Sequence, residues 1–130
     1  MNGVREQNKQ KLLLVEDDPN LRSTMSVVLQ RAGFGVETAV SLLAAREQLQ
    51  TKQFDLILLD LDLSGESGLP LISEVRTFHA DTQTIILSAQ ISTTLQQKAF
   101  RNGARGYLVK PLDPIEIIIF VRSLLAGPTA

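Results

Sequence analysis

Cysteine is absent from this 130-residue chain, which excludes a disulfide framework and any zinc site built on thiolates. Histidine occurs once, as His79 among polar loop residues, where it reads as a surface side chain. No apolar run approaches the roughly 20 residues of a membrane span. Residues 1–10 lack the apolar stretch of a signal peptide and read as a polar tail. Charge of one sign is lacking too. Thirteen basic and 14 acidic residues leave a net −1, without the clustered Lys and Arg that nucleic-acid binding requires. Repeats and low-complexity segments are missing. What these absences leave is one ordinary globular domain, and the lack of cysteine suits the cytosol.

Short apolar runs alternate with amphipathic stretches, the pattern of β/α units around a parallel sheet. Strands are expected near 11–15, 35–39, 56–59, 84–87 and 106–109. Helices are expected from Asp18-Pro19, from Ser41, near 69–78, near 92–102 and from Pro114 to Leu125. Asp18 and Ser41 are suited to cap helices, Pro19 to the first helical position, and Gly33 to the residue after a helix end. Leu56 to Leu59 is apolar throughout, as a central strand covered on both faces should be. Right-handed crossovers then give a three-layer α/β sandwich. The domain is expected over 11–126, between the polar tail and a C-terminal tail or linker at 127–130.

Polar groups stand at the ends of these runs. Leu12 to Val15 leads into Glu16-Asp17, Leu56 to Leu59 into Asp60, Ile85 to Leu87 into Ser88, and Gly106 to Val109 into Lys110-Pro111. Neighbouring parallel strands would gather all of them on one sheet edge, where open α/β sheets place their sites. Clustered carboxylates repel each other and are tolerated around a cation. Oxygen ligands without Cys or His suit a hard ion such as Mg²⁺. The pattern therefore describes a metal-assisted phosphoryl centre. Simpler readings exist for single residues. Asp18 is best taken as a helix cap, Lys110 alone would be a solvated lysine, and Tyr107 alone a half-buried strand residue.

The motifs Leu14-Val15-Glu16-Asp17-Asp18, Phe54-Asp55-Leu56-Ile57-Leu58-Leu59-Asp60, Ser88-Ala89 and Gly106-Tyr107-Leu108-Val109-Lys110-Pro111 occur in this order. Together they resemble the receiver domain of two-component response regulators over about residues 11–126. The resemblance implies a flavodoxin-like, doubly wound sheet of strand order 2-1-3-4-5. It makes Asp60 the acceptor of a phosphoryl group from a kinase phosphohistidine. Mg²⁺ would be held by Asp17, Glu16, Asp60 and the backbone carbonyl of Asp62. Lys110, preceding a typically cis bond to Pro111, and Ser88 would stabilise the phosphoryl group. Ser88 and Tyr107 would switch the surface of the fourth helix, fifth strand and fifth helix. Asp62 and Gln90 occupy positions that tune dephosphorylation. Ser64 stands where proline is usual, which implies a less rigid loop, and Ser67 where aspartate is common.

The resemblance further implies a sensor histidine kinase or phosphotransfer protein as donor, an output domain or effector protein as recipient, and action in the cytoplasm. Such a domain catalyses only its own phosphorylation and slow dephosphorylation, and neither nucleic acid nor membrane is a direct partner. Three alternatives fit parts of the pattern. Asp60-Leu61-Asp62-Leu63-Ser64 also resembles the nucleophile loop of haloacid-dehalogenase-like phosphatases, but no acidic pair of that type follows Lys110. A phosphorylation-independent interaction module would not need the complete acidic, hydroxyl and lysine set. A flavodoxin would want a Gly/Ser/Thr phosphate cradle after the first strand, where this chain is acidic. In the last helix, Ile117, Val121 and Leu124 share a stripe at about 3.6-residue spacing and should face the sheet. Ile115 and Ile119, beside Arg122, fall opposite and are expected to form a homodimer or output-domain contact.

Overall fold

The structure is a computed structural model describing residues 9–127. Most of both tails therefore lies outside the described residues. In chain order the elements are β1 (Lys11–Val15), α1 (Pro19–Arg31), β2 (Gly35–Ala39), α2 (Leu42–Thr51) and β3 (Leu56–Asp60). These are followed by α3 (Leu69–Phe78), β4 (Gln83–Ser88), α4 (Thr93–Asn102), β5 (Gly106–Val109) and α5 (Pro114–Leu125).

Helix starts follow from local side-chain chemistry. The Asp18 carboxylate accepts from the Asn20 and Leu21 N–H groups, and Ser41, Ser92 and Asp113 accept from Ala44, Leu95 and Ile115. Each satisfies a donor that the first helical turn leaves without a partner. Proline at the start of α1 and α5 gives up no bond there. Gly33, at φ 103°, turns the chain out of α1 in a conformation that a Cβ would strain.

All five strands are parallel, in the order β2-β1-β3-β4-β5. Alternation along each strand sorts the apolar side chains onto two faces. Leu12, Leu14, Leu56, Leu58, Ile85 and Leu87 pack with Met25 and Leu29 of α1 and Ile117 and Val121 of α5. Leu13, Val15, Ile57, Leu59 and Ile86 pack under α2, α3 and Ala99 of α4. The sheet is thus covered on both sides, and β3 is buried along its whole length.

Three elements differ from the expectation from sequence, and β3 is the first, extending one residue to include Asp60. β4 runs from Gln83 to Ser88 because its ladder continues at both ends, through Gln83 N–H to Asp55 O and Lys110 N–H to Ser88 O. α4 begins at Thr93, since Ser92 is its cap. Asp60 and Ser88 are accordingly the last residues of their strands, held by the ladder rather than carried on a loop. Among the described residues, no helix is long and apolar enough to cross a membrane.

Candidate phosphoryl site

The register decides which side chains can meet. Val15 pairs with Leu59, so Glu16 comes level with Asp60. Period-two alternation places Glu16 in line with Leu14, Asp60 with Leu58, and Lys110 with Leu108, all on the α1/α5 side. Ser88 and Tyr107 continue the other face, in line with Ile86. From β1 the chain winds to β2 on one side and then crosses back to β3 on the other, so the end of the β1/β3 pair is also the crevice where doubly wound sheets bind ligands.

Glu16 and Asp60 are each 1% exposed. Carboxylate oxygens of Glu16, Asp17 and Asp60 lie within 4.8 Å of one another, close enough to hold one metal ion. Lys110 supplies the local positive charge, its Nζ 3.1 Å from Asp60 Oδ2, 3.4 Å from Glu16 Oε1 and 3.9 Å from Asp62 Oδ2. The Lys110–Pro111 peptide bond is cis. One ammonium faces several carboxylates, and the electrostatics register the shortfall. Burial, followed by contact with Asp60, pushes the Glu16 carboxyl up to about 7. For Lys110, burial disfavours the charge, but Asp60 and Glu16 outweigh it and raise the pKa. Glu16 Oε1 is the one buried side-chain polar atom among the described residues that makes no hydrogen bond. A second cation would fit this donor set, and hard oxygen ligands favour Mg²⁺.

Asp17 stands apart from its neighbour as expected. Asp18 turns into the helix start, while Asp17 Oδ2 accepts from both the backbone N–H (3.2 Å) and the hydroxyl (3.1 Å) of Ser64. The Ser64 N–H bond leads in holding the Asp17 carboxyl below its ordinary range. The expectation at Ser64 concerned only the missing proline, and the structure adds a contact to it. Serine there ties the loop to Asp17 with two donors, neither of which proline possesses.

Ser88 and Tyr107 join one hydrogen-bonded chain. Ser88 Oγ donates to Asp62 Oδ1 at 3.1 Å and accepts from the Gln90 N–H at 3.1 Å. The Tyr107 hydroxyl donates to Gln90 O at 2.9 Å. Asp62 N–H donates to Asp60 Oδ1 at 2.8 Å, and Asp62 Oδ2 accepts from the Ala89 N–H at 2.7 Å. The Asp62 side-chain contacts were not legible from the sequence. Its place two residues after Asp60 was the only signal.

Ile115 and Ile119 are 66% and 61% exposed, and Ile117 and Val121 are buried, as the wheel predicted. Arg122 is the exception on that face. Its Nη2 donates to Ala32 O at 3.0 Å, so the guanidinium satisfies a carbonyl at the end of α1 instead of joining the isoleucines. Toward β5, α5 presents Phe120, whose ring lies directly over Gly106.

Known proteins resemble this chain in sequence and in fold. Residues 12–122 match the model of the response regulator receiver domain. The chain is 35% identical over 114 residues to protein PetR of Rhodobacter capsulatus, covering 88% of this chain and 48% of that protein. It is 36% identical over 112 residues to the transcriptional regulatory protein KdpE of Staphylococcus aureus, covering 86% and 48%. The chain spans about half the length of these curated relatives. Among solved structures, chemotaxis protein CheY4 of Vibrio cholerae superposes with a TM-score of 0.83 at 30% identity, covering 88% of this chain and 98% of that one.

Proposed function

The chain belongs to the response regulator receiver domain family, and from that premise we propose that Asp60 is its phosphoacceptor, in a domain spanning 11–126. The observation that carries this reading is the placing of Asp60: buried, bonded to Lys110, and beside Glu16 and Asp17. A carboxylate oxygen of Asp60 attacks the phosphorus of a phosphohistidine on a sensor kinase or phosphotransfer protein. The P–N bond breaks, the imidazole leaves with its electron pair, and an acyl phosphate remains on Asp60. In such transfers the protein mainly positions groups and neutralises charge.

Glu16, Asp17, Asp60 and the Asp62 carbonyl are the groups that would hold Mg²⁺. When bound, Mg²⁺ supplies positive charge against the acceptor carboxylate and the phosphoryl oxygens. Lys110 stabilises a phosphoryl oxygen from the other side, and Ser64 keeps Asp17 aimed at the site. The Ser88 hydroxyl turns to the new group. Tyr107, linked to Ser88 through Gln90, follows and changes the α4–β5–α5 surface offered to an output domain, an effector or a second copy. The domain works in the cytoplasm and catalyses only its own phosphorylation and dephosphorylation.

Intact-mass spectrometry after incubation with Mg²⁺ and phosphoramidate tests the reading. One added phosphoryl group is expected in the wild type and none in Asp60→Asn. Undiminished labelling of Asp60→Asn would overturn it.

A further inference from the structure

In the resting protein the donors that a phosphoryl group on Asp60 would need are already engaged by another anion of the same chain. Asp62 Oδ1 takes the single hydroxyl proton of Ser88, and Oδ2 takes the Ala89 N–H. Lys110 Nζ lies 3.9 Å from the same Oδ2. Hydroxyl, backbone amide and ammonium thus converge on a carboxylate two residues from the acceptor. We propose that Asp62 is an internal occupant of the phosphoryl-oxygen site, a tethered anion that must leave before Ser88 and Ala89 can bind the transferred group. The proposal rests on the reading of Asp60 as phosphoacceptor.

Donor capacity makes the competition exclusive. Ser88 has one O–H and Ala89 one N–H, so the carboxylate and a phosphoryl oxygen cannot both hold them well. Charge adds to this, because a phosphoryl group arriving beside an ionised carboxylate meets a like charge at short range. The tether makes Asp62 a competitor of fixed and high effective concentration. It can also depart, since its side chain is 25% exposed and solvent is available to it. The Asp62 N–H bond to Asp60 belongs to the backbone and does not depend on where the side chain goes.

The contact reaches further than the site. Ser88 Oγ, which Asp62 holds, accepts the Gln90 N–H, and the Gln90 carbonyl accepts the Tyr107 hydroxyl. While Asp62 holds Ser88, the hydrogen-bonded path to Tyr107 stays in its resting arrangement. Asp62 therefore opposes both phosphoryl uptake and the surface change that follows.

The test uses the full chain at saturating Mg²⁺, as wild type, Asp62→Asn and Asp62→Ala. Initial rates of phosphorylation by phosphoramidate are read by intact mass. Beryllofluoride affinity and the Ala89 amide shift are read by NMR. Both variants are expected to be phosphorylated at least about tenfold faster than wild type and to bind beryllofluoride tighter by a similar factor, the scale of one charge-assisted hydrogen bond. The Ala89 amide should also shift in resting Asp62→Ala, because its acceptor is gone. Equal or slower rates with wild type labelled at Asp60 would overturn the proposal, as would an unmoved Ala89 amide. No labelling of any of the three proteins would instead remove the reading of Asp60 beneath it.

Discussion

Replacing Glu16 with glutamine should remove most of the pH dependence of folding stability between pH 4.5 and about 7 in metal-free buffer. The Glu16 carboxyl is 1% exposed, one of its oxygens makes no hydrogen bond, and burial with the neighbouring Asp60 raises its pKa from 4.5 to about 7. The sign follows from proton binding. Between those values the folded chain holds a proton that the unfolded chain has released, so stability falls as pH rises. The contribution is complete below 4.5 and lost on passing through about 7. At roughly 1.4 kcal/mol per pKa unit the loss is about 3 kcal/mol, a large share of the 5–15 kcal/mol typical of a domain. Other shifted groups act elsewhere. The raised pKa of Lys110 acts with the same sign, but above 10.5, and the lowered pKa of Asp17 acts with the opposite sign, below 3.8. Urea unfolding with a chelator present, from about pH 4.5 to about pH 8, reads the effect. Wild type should lose about 3 kcal/mol across that range and Glu16→Gln little, because an amide cannot ionise. Added Mg²⁺ should restore wild-type stability at the alkaline end. The same slope in both proteins would refute the reasoning.

Three further outcomes follow. Asp17→Ala should abolish Mg²⁺ binding while Asp18→Ala should cost only its cap, about 1 kcal/mol, and an equal loss of affinity in a Mg²⁺ titration would contradict that separation. Gly106→Ala would place a Cβ 2.5 Å from the Phe120 ring, so it should destabilise the fold by about 1–3 kcal/mol and be partly rescued by Phe120→Leu in denaturant titrations. Without such rescue, Phe120 would not be the source of the clash. Ile119→Lys should weaken any self-association that beryllofluoride induces in the wild type, and identical monomeric sedimentation of both proteins, with and without beryllofluoride, would rule out a homodimer through this face.

The sequence carried the fold because its signals were local and consistent. Asp18-Pro19 and Ser41 mark helix starts by capping chemistry alone, and the unbroken apolar run Leu56 to Leu59 reads as a central strand. The candidate site was legible for the same reason, since each of its groups stands at the end of such a run. What stayed hidden depends on distance in space. Ser64 looked like the loss of a rigid proline, yet it meets Asp17 across 47 residues of chain. Arg122 looked like part of an outward face, yet it reaches Ala32 across 90 residues. The resemblance gave Asp62 a backbone-carbonyl role, but its side-chain bonds to Ser88 and Ala89 depend on how the segment after β3 meets the end of β4. Helical wheels and motif spacing carry no such information.

Everything proposed for this domain depends on the buried Asp60 carboxylate forming the acyl phosphate. Reductive trapping with borohydride after Mg²⁺-dependent phosphorylation converts an aspartyl phosphate to homoserine, and peptide mass mapping then locates it. Homoserine is expected at position 60 alone, and none when Mg²⁺ is chelated. Homoserine at position 17 or 62, or a phosphoryl group that stays on Ser88 through the treatment, would contradict it.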